Sequence, residues 1–236
     1  MVTPIDFCFP VRELSDDLVK LTPFNVSKHA KRFFDGSKDH PELYMYMSIG
    51  PFDTEQEFVT KFIENFVNAQ PSVVCFAVID KKKPPSMVDP EGELAGMVSY
   101  MAASAAHLSA EVGYIIILPR YQRTHVTTHA VGLLLHYALD SPEQGGLGLR
   151  RMQWLADPPN KASLSAAQRM GFQLEGILRW NKVVPDADAR GKIHNGRKKP
   201  SYGEEKDGGR DTAYLSLCWD DWLGGKREVV DELLCR

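Results

Sequence analysis

The chain has 236 residues, of which 43% are hydrophobic, so it can form one domain with a sizeable core. Its 28 Lys and Arg residues against 31 Asp and Glu residues give a net charge of −3, which provides no broad attraction for nucleic acid or an anionic membrane. No stretch approaches the ~20 apolar residues of a membrane-spanning helix, and the start lacks a basic segment followed by an apolar signal core, so we expect a cytoplasmic protein.

Two short helices are predicted in the first third of the chain. The first runs from about Val26 to Asp35 and ends at Gly36. The second opens at Thr54, with Glu57 three residues later as a capping box. Its apolar face consists of Phe58, Phe62, Ile63, Phe66 and Val67. The connector PELYMYMSIGPF has no sustained period, and it either lines a pocket or packs against the sheet.

A series of strands follows, interrupted by helices. Runs of β-branched and aromatic residues predict strands over SVVCFAVID, GELAGMVSYMAA and AEVGYIIIL. TTHAVGLLLHYALD has helical spacing and GLGLRRMQWLAD returns to strand character, an order that predicts a parallel crossover. NKASLSAAQRM predicts a helix that ends at Gly171, and FQLEGILRWNKVV and RDTAYLSLCW predict a final strand pair.

The segment between the last two strands is rich in Gly, Pro and charge and has almost no apolar residues. We expect a long flexible loop at about residues 185–209, either functional or disordered. Its RKK cluster is balanced by nearby acids, which does not favour nucleic-acid binding. The chain has no internal repeats, and we expect residues 1–236 to form a single domain.

Neither the cysteines nor the histidines indicate a metal site. Cys8, Cys75, Cys218 and Cys235 are far apart and form no C-x-x-C pair, so we expect reduced thiols. His125 and His129 stand four residues apart at a predicted helix start, a spacing that can hold a metal. Because no third ligand accompanies them, we interpret the pair as part of a solvated helix face.

The stretch YQRTHVTTHA, from Tyr121 to Ala130, follows the predicted strand YIIIL. A strand, a polar turn and a helix start present unpaired N–H groups at the positive end of a helix dipole, which is typical of a phosphate site. The stretch contains no glycine, so it can hold an anion only if its turn keeps ordinary right-handed helical geometry. In that geometry Arg123 adds positive charge, and Thr127 and Thr128 add hydroxyl donors.

Three motifs in this order resemble the GCN5-related N-acetyltransferase (GNAT) family, and within it the branch of the RimJ/RimL ribosomal-protein alanine acetyltransferases. They are AEVGYIIILPRYQRTHVTTHA, NKASLSAAQRMGF, and EGILR followed after the long loop by RDTAYLSL. The resemblance runs from about Leu21 to Trp222. It implies a mixed α/β fold, with a twisted central sheet flanked by helices and splayed central parallel strands, and acetyl-CoA (coenzyme A) as cofactor.

The resemblance also implies which residues hold the cofactor. They are Ile115, Ile117, Leu118, Gln122, Arg123, Thr124, His125, Val126, Thr127, Thr128 and Asn160. Gln122 stands at the first position of the family's pyrophosphate motif, but His125 and Thr127 replace its usual glycines or alanine. Asn160 would bind the pantetheine arm through its amide.

Transfer of an acyl group from a thioester to an amine needs a neutral amine, a polarised carbonyl and a proton for the leaving thiolate. By resemblance, Glu111 is the candidate base; otherwise it is a surface carboxylate on a strand end. Many relatives use a tyrosine as acid at the position of Ala167, so Ser163 is the candidate acid by resemblance to members of the branch. Alternatively, Ser163 hydrogen-bonds its own helix.

We therefore predict an N-acetyltransferase that moves an acetyl group from acetyl-CoA to a primary amine by direct attack. The acceptor is a small molecule or a peptide N-terminus, with apolar walls from Tyr44, Tyr46, Phe52 and Trp180. The alternatives are a catalytically silent acyl-CoA-binding sensor or interaction module, and a protein-binding adaptor that uses the long loop. We expect no nucleic-acid or membrane partner, and a monomer or homodimer.

Overall fold

The computed structural model describes residues 6–198, 200, 202 and 207–235. Within them one eight-stranded mixed sheet has the strand order β1-β2-β3-β4-β5-β6-β8-β7. The strands are β1 (Leu14–Ser15), β2 (Val19–Pro23), β3 (Val74–Asp80), β4 (Glu93–Ser104), β5 (Ser109–Ile117), β6 (Arg151–Ala156), β7 (Gln173–Val184) and β8 (Gly208–Cys218). β5 and β6 are parallel and joined by a helical crossover, as predicted, whereas the other neighbours are antiparallel.

Helices flank this sheet. They are α1 (Lys31–Ser37), α2 (Glu55–Phe58), α3 (Val126–Leu139), α4 (Lys161–Arg169), α5 (Trp219–Asp221) and α6 (Arg227–Leu234). Three π-helical stretches adjoin these helices: Val26–Ala30 leads into α1, Val59–Val67 continues α2, and Trp222–Lys226 joins α5 to α6. The predicted fold class, a single mixed α/β domain with its sheet between helices, is confirmed. In the part of the chain that the structure describes, every helix is too short or too polar to span a bilayer.

The predicted start of α2 is confirmed in its chemistry. The Thr54 hydroxyl accepts a hydrogen bond from the Glu57 N–H at 3.0 Å, and the Glu57 carboxylate accepts one from the Asp53 N–H at 2.7 Å. The apolar face that follows is buried against α1, since the Phe33 and Phe58 rings stack with centroids 5.1 Å apart. Aromatic packing of this kind fixes the two helices as one layer on the sheet.

The connector between these helices is held by the loop that joins β7 to β8. Lys192 is 5% exposed, and its Nζ donates to the carbonyl oxygens of Tyr44 at 2.8 Å and Ile49 at 2.6 Å. The Arg190 guanidinium donates to the Gly50 carbonyl at 3.1 Å. These contacts dock part of the loop on the connector. Residues 199, 201 and 203–206 of the predicted flexible loop lie outside the described residues.

Two of the four predicted acceptor walls are core residues. Tyr44 is 2% exposed and Phe52 is 8% exposed, and their rings pack edge to face with centroids 5.6 Å apart. Neither ring can line an acceptor site. Trp180 remains exposed at 43%, and Tyr46 is half-buried.

The C-terminal helices are anchored by one carboxylate at the end of α3. Asp140 is 8% exposed and accepts from Trp222 Nε1 at 2.9 Å and from Arg227 Nε at 2.8 Å. His136 Nδ1 lies 2.9 Å from its second oxygen. Burial alone raises the pKa of Asp140, but the hydrogen bonds from Arg227, His136 and Trp222 outweigh burial and lower it.

We expect Asp140→Asn to lower the free energy of unfolding by roughly 2 kcal/mol, because hydrogen bonds to a charged group contribute about 1.5–3 kcal/mol. The folded pKa of Asp140 is depressed, so its contribution is present above the ordinary carboxyl pKa and is lost as pH falls through the folded value. Urea unfolding should therefore separate wild type and variant near neutral pH and bring them together in acid. Glu232→Gln, an exposed change on α6, is the matched control. Equal stability of Asp140→Asn and wild type at neutral pH would contradict the anchoring role.

Candidate active site

The two central parallel strands pair at only three positions and then separate. Ser109, Ala110 and Glu111 of β5 pair with Arg151, Met152 and Gln153 of β6. Within the described residues no pairing is recorded past Glu111, although both strands continue. Backbone polar groups facing such a gap need partners. The splayed pair predicted from the resemblance is confirmed, and we call the gap between the separated parts of β5 and β6 the cleft.

On its other side, β5 is bulged against β4. Met97 pairs with Ile116 and Ser99 with Gly113, so one residue of β4 stands opposite two of β5. The bulged Tyr114 has φ of +45°, an uncommon value for a residue with a side chain. Bulges of this kind often re-aim a strand next to a functional site.

The predicted backbone contacts of β5 are partly taken. The Leu118 N–H donates to the Ala95 carbonyl at 2.8 Å, and the Ile117 carbonyl accepts from the Gln122 side-chain amide at 2.9 Å. Ile117 and Leu118 are buried. Ile115 is half-buried within the bulge, outside the β4 register. Gln122 thus ties the loop back to β5 through its side chain.

The glycine-free loop keeps right-handed helical geometry at the positions where glycine is usual. His125 has φ of −62° and ψ of −25°, and Thr127 lies within the first turn of α3. The positive φ falls instead at Arg123, at +59°. The absence of glycine at positions 125 and 127 therefore imposes no backbone strain there.

The loop presents consecutive free donors. Within the described residues, the N–H groups of Arg123, Thr124 and His125 donate no hydrogen bond, whereas the Val126 N–H donates to the Thr124 hydroxyl at 3.3 Å. Gln122, Arg123 and Thr124 are exposed. These N–H groups sit at the positive end of the α3 dipole, so the loop suits an anion. The Val126 side chain is buried in the core, and Thr127 and Thr128 are half-buried.

The two histidines of this region bind acids from other elements. His125 Nε2 lies 3.1 Å from Asp80 Oδ1, and His129 Nδ1 lies 2.7 Å from Asp16 Oδ2. His129 is 3% exposed, so the prediction of a solvated helix face is wrong. The spacing of two histidines along a helix does not show which other parts of the chain pack over them. The His125 ring already contacts Asp80 at the end of β3. The group that His125 can offer to an anion is therefore its backbone N–H.

Glu111 lies in the cleft at the last paired position of β5. Burial raises its pKa to about 7, although Lys182 and Arg210 act in the opposite direction. Gly113 leaves space for its carboxylate, since a Cβ at Gly113 would lie 3.2 Å from Glu111 Oε1 and 2.5 Å from Met101 Sδ. Glu111 is therefore not an ordinary surface carboxylate. A carboxylate with a pKa near neutrality suits a general base.

Asn160 and Ser163 form the start of α4. The Asn160 side-chain oxygen accepts from the Ser163 N–H at 3.1 Å, which caps the helix. The Ser163 hydroxyl oxygen accepts from Trp154 Nε1 at 2.9 Å, so its own proton stays free to donate. Trp154 faces the side of the sheet opposite its neighbour Gln153, which pairs with Glu111. Glu111 and Ser163 thus approach the cleft from opposite faces, and Ala167 is fully buried.

A parallel strand pair that opens beside a helix start with free N–H groups is the arrangement that an acyltransferase type of domain presents. The model of the GNAT acetyltransferase domain matches residues 19–173, and the chain belongs to this family.

Two curated relatives and one solved structure illustrate the similarity. The chain is 33% identical over 87 residues to the uncharacterized N-acetyltransferase YoaA of Bacillus subtilis, covering 37% of this chain and 46% of the relative. It is 30% identical over 92 residues to spermidine N(1)-acetyltransferase of Escherichia coli K12, covering 39% and 46%. The chain thus matches about half the length of these relatives. A GCN5-related N-acetyltransferase of Brucella melitensis superposes with a TM-score of 0.72 at 27% identity, covering 94% of this chain and 85% of that one.

We expect the partial burial of Glu111 to make stability depend on pH. Its folded pKa of about 7 lies above the ordinary value of 4.5, so the folded state holds the proton more tightly and the free energy of unfolding falls as pH rises through that window. Since one pKa unit corresponds to about 1.4 kcal/mol, the fall should amount to a few kcal/mol. Glu111→Gln should remove this part of the slope in urea unfolding at pH about 5 and about 8. The exposed control Glu64→Gln should keep it, and an unchanged slope in Glu111→Gln would refute the burial effect.

Proposed function

We propose that this protein transfers an acetyl group from acetyl-CoA to a primary amine by direct attack of the amine. The observation that carries the proposal is the position of Glu111, a half-buried carboxylate with a raised pKa, at the point where β5 and β6 separate. We further propose that the chain belongs to the RimJ/RimL branch and acts in the cytoplasm. Its acceptor is a small amine or a peptide N-terminus.

The residues of the loop fit the anionic part of the cofactor. The N–H groups of Arg123, Thr124 and His125, the Arg123 charge and the Thr127 and Thr128 hydroxyls would hold the pyrophosphate. The backbone of Ile115 and the amide of Asn160 would hold the pantetheine arm. Gln122, Ile117, Leu118 and Val126 support the loop through contacts they already make. When bound, acetyl-CoA supplies an activated carbonyl.

Two side chains would move protons. Glu111, with a pKa of about 7, is partly ionised at neutral pH and can take a proton from the attacking amine, directly or through water. Ser163 can donate its hydroxyl proton to the departing sulfur while Trp154 hydrogen-bonds its oxygen. Because thiols are acidic compared with alcohols, water can also protonate the sulfur, so loss of Ser163 should slow the reaction without abolishing it.

A protein that binds the cofactor without turnover is the competing function. The buried Ala167, which replaces the tyrosine acid of many relatives, favours it. Cofactor binding and turnover must therefore be measured separately.

We expect acetyl-CoA to raise the melting temperature by several degrees, since a ligand at ~100 times its dissociation constant adds about 2.7 kcal/mol. Arg123→Glu should abolish the shift by placing a carboxylate beside the phosphates. Arg169→Glu, an exposed change at the end of α4, should keep it. No shift in wild type, or a full shift in Arg123→Glu, would exclude the loop as the phosphate site.

We expect Glu111→Gln to lower kcat about 10²- to 10⁴-fold while the acetyl-CoA melting shift is retained. An amine of low basicity is already neutral near pH 7, so the ionisation of Glu111 should dominate the pH profile. In wild type its kcat/KM should rise with pH and level off above about 7, and Glu111→Gln should lose this rise. Release of coenzyme A thiol is the measurement. Normal turnover in Glu111→Gln would exclude Glu111 as base, and a melting shift without thiol release from any amine would support the silent function.

A further inference from the structure

Two cations stand side by side on the face of the sheet that carries Glu111. Lys182 and Arg210 are directly paired across β7 and β8. Glu111 pairs with Gln153, which pairs with Ser216 of β8. Ser216 and Arg210 are an even number of residues apart on one strand, so their side chains share a face. β7, β8 and β5 therefore direct Lys182, Arg210 and Glu111 to the same side.

The buried Arg210 and the half-buried Lys182 lack the partners that such charges normally have. Arg210 is 8% exposed, and its buried Nε has no hydrogen-bond partner. Among the residues that the structure describes, neither Arg210 nor Lys182 makes a side-chain hydrogen bond or an ion pair within 4.0 Å. Like charges directly opposite on two strands destabilise a sheet, and an unpaired buried charge is costly. An anion of a ligand placed between Arg210 and Lys182 would pair with both cations.

Two acids accompany the cations. Asp157 follows the end of β6, is 3% exposed, and its buried Oδ2 has no partner. Burial raises its pKa to about 6, against the effect of Arg210. Glu111 and Asp157 can face an amine or ammonium group, while Arg210 and Lys182 face an anion. A polyamine would instead bring further positive charge towards two unpaired cations.

We propose that the acceptor is a small zwitterion, a primary amine that also carries a carboxylate or phosphate group, with the anion held by Arg210 and Lys182 and the amine facing Glu111. The planar guanidinium of Arg210 suits two-point binding of either anion. This inference rests on the proposed acetyl transfer and narrows its acceptor. It sets this chain apart from its relative named for spermidine.

Matched amines test the proposal. Thiol release from acetyl-CoA should be compared for glycine and ethylamine, for β-alanine and propylamine, and for γ-aminobutyrate and butylamine, with spermidine as the polyamine. O-phosphoethanolamine against ethanolamine distinguishes phosphate from carboxylate. In wild type we expect at least one anionic amine to exceed its neutral partner roughly 10- to 100-fold in kcat/KM, the range of a charged hydrogen bond.

The variants assign the effect to these side chains. Arg210→Gln and Lys182→Gln should each reduce the preference for the anionic amine at least several-fold, with acetyl-CoA binding unchanged. Arg179→Gln should leave the preference unchanged. Thr212 shares the face of Arg210 on β8 and pairs with Leu178, so the next residue, Arg179, is exposed on the opposite face of β7. Melting temperatures and the acetyl-CoA shift verify that each variant is folded.

A binding measurement separates this proposal from the proposed function. Calorimetry of the same amines with the coenzyme A complex reports acceptor binding without turnover. An anionic amine that binds more tightly than its neutral partner, with the difference lost in Arg210→Gln, would support the zwitterion proposal. If no thiol is released from that complex, the proposed acetyl transfer is wrong while the zwitterion site stands. Preference for spermidine or for the neutral amines in both measurements would overturn the zwitterion, while acetyl transfer would stand on any thiol release.

Discussion

The separation of β5 from β6 after three paired residues is the constraint on which the rest of the structure depends. A parallel pair inside a sheet would normally continue its hydrogen bonds along both strands. Here the bulge at Tyr114 re-aims β5, and Gln122 and Ala95 take the backbone groups of Ile117 and Leu118. The gap between β5 and β6 thus stays open beyond Glu111, and the start of α3 provides N–H donors after the end of β5.

The cleft has two chemically different sides. At the loop, free N–H groups and a helix dipole favour an anion without any glycine at the usual positions. On the other side, Glu111, Asp157, Lys182 and Arg210 share one region and make no ion pair with one another within 4.0 Å. Charges left unpaired in this way reduce stability and persist where a ligand completes them.

The β7–β8 loop connects that region to the first helices. Lys192 binds the carbonyls of Tyr44 and Ile49, so the connector and the loop hold each other in place. The Tyr44 ring lies in the core because it packs against Phe52 and its hydroxyl donates to Ser37 at 3.0 Å, so it does not line an acceptor site as predicted. Of the predicted aromatic walls, Trp180 remains exposed.

The sequence by itself determined the long elements, the parallel crossover, the cap at Thr54 and the right-handed helical geometry at His125 and Thr127, because periodicity, capping and turn chemistry act between residues close in the chain. It did not indicate the positive φ of Arg123. It missed β1, β2 and α6. β2 takes its structure from pairing with β3, β1 from pairing with β2, and α6 from the contact of Arg227 with Asp140. Only the tertiary structure decided that His125 and His129 bind acids, that Ser163 bonds Trp154, and that Lys182 and Arg210 lie beside Glu111 unpaired. Those outcomes depend on which strands become neighbours, and burial and charge pairing across strands have no signature in local spacing.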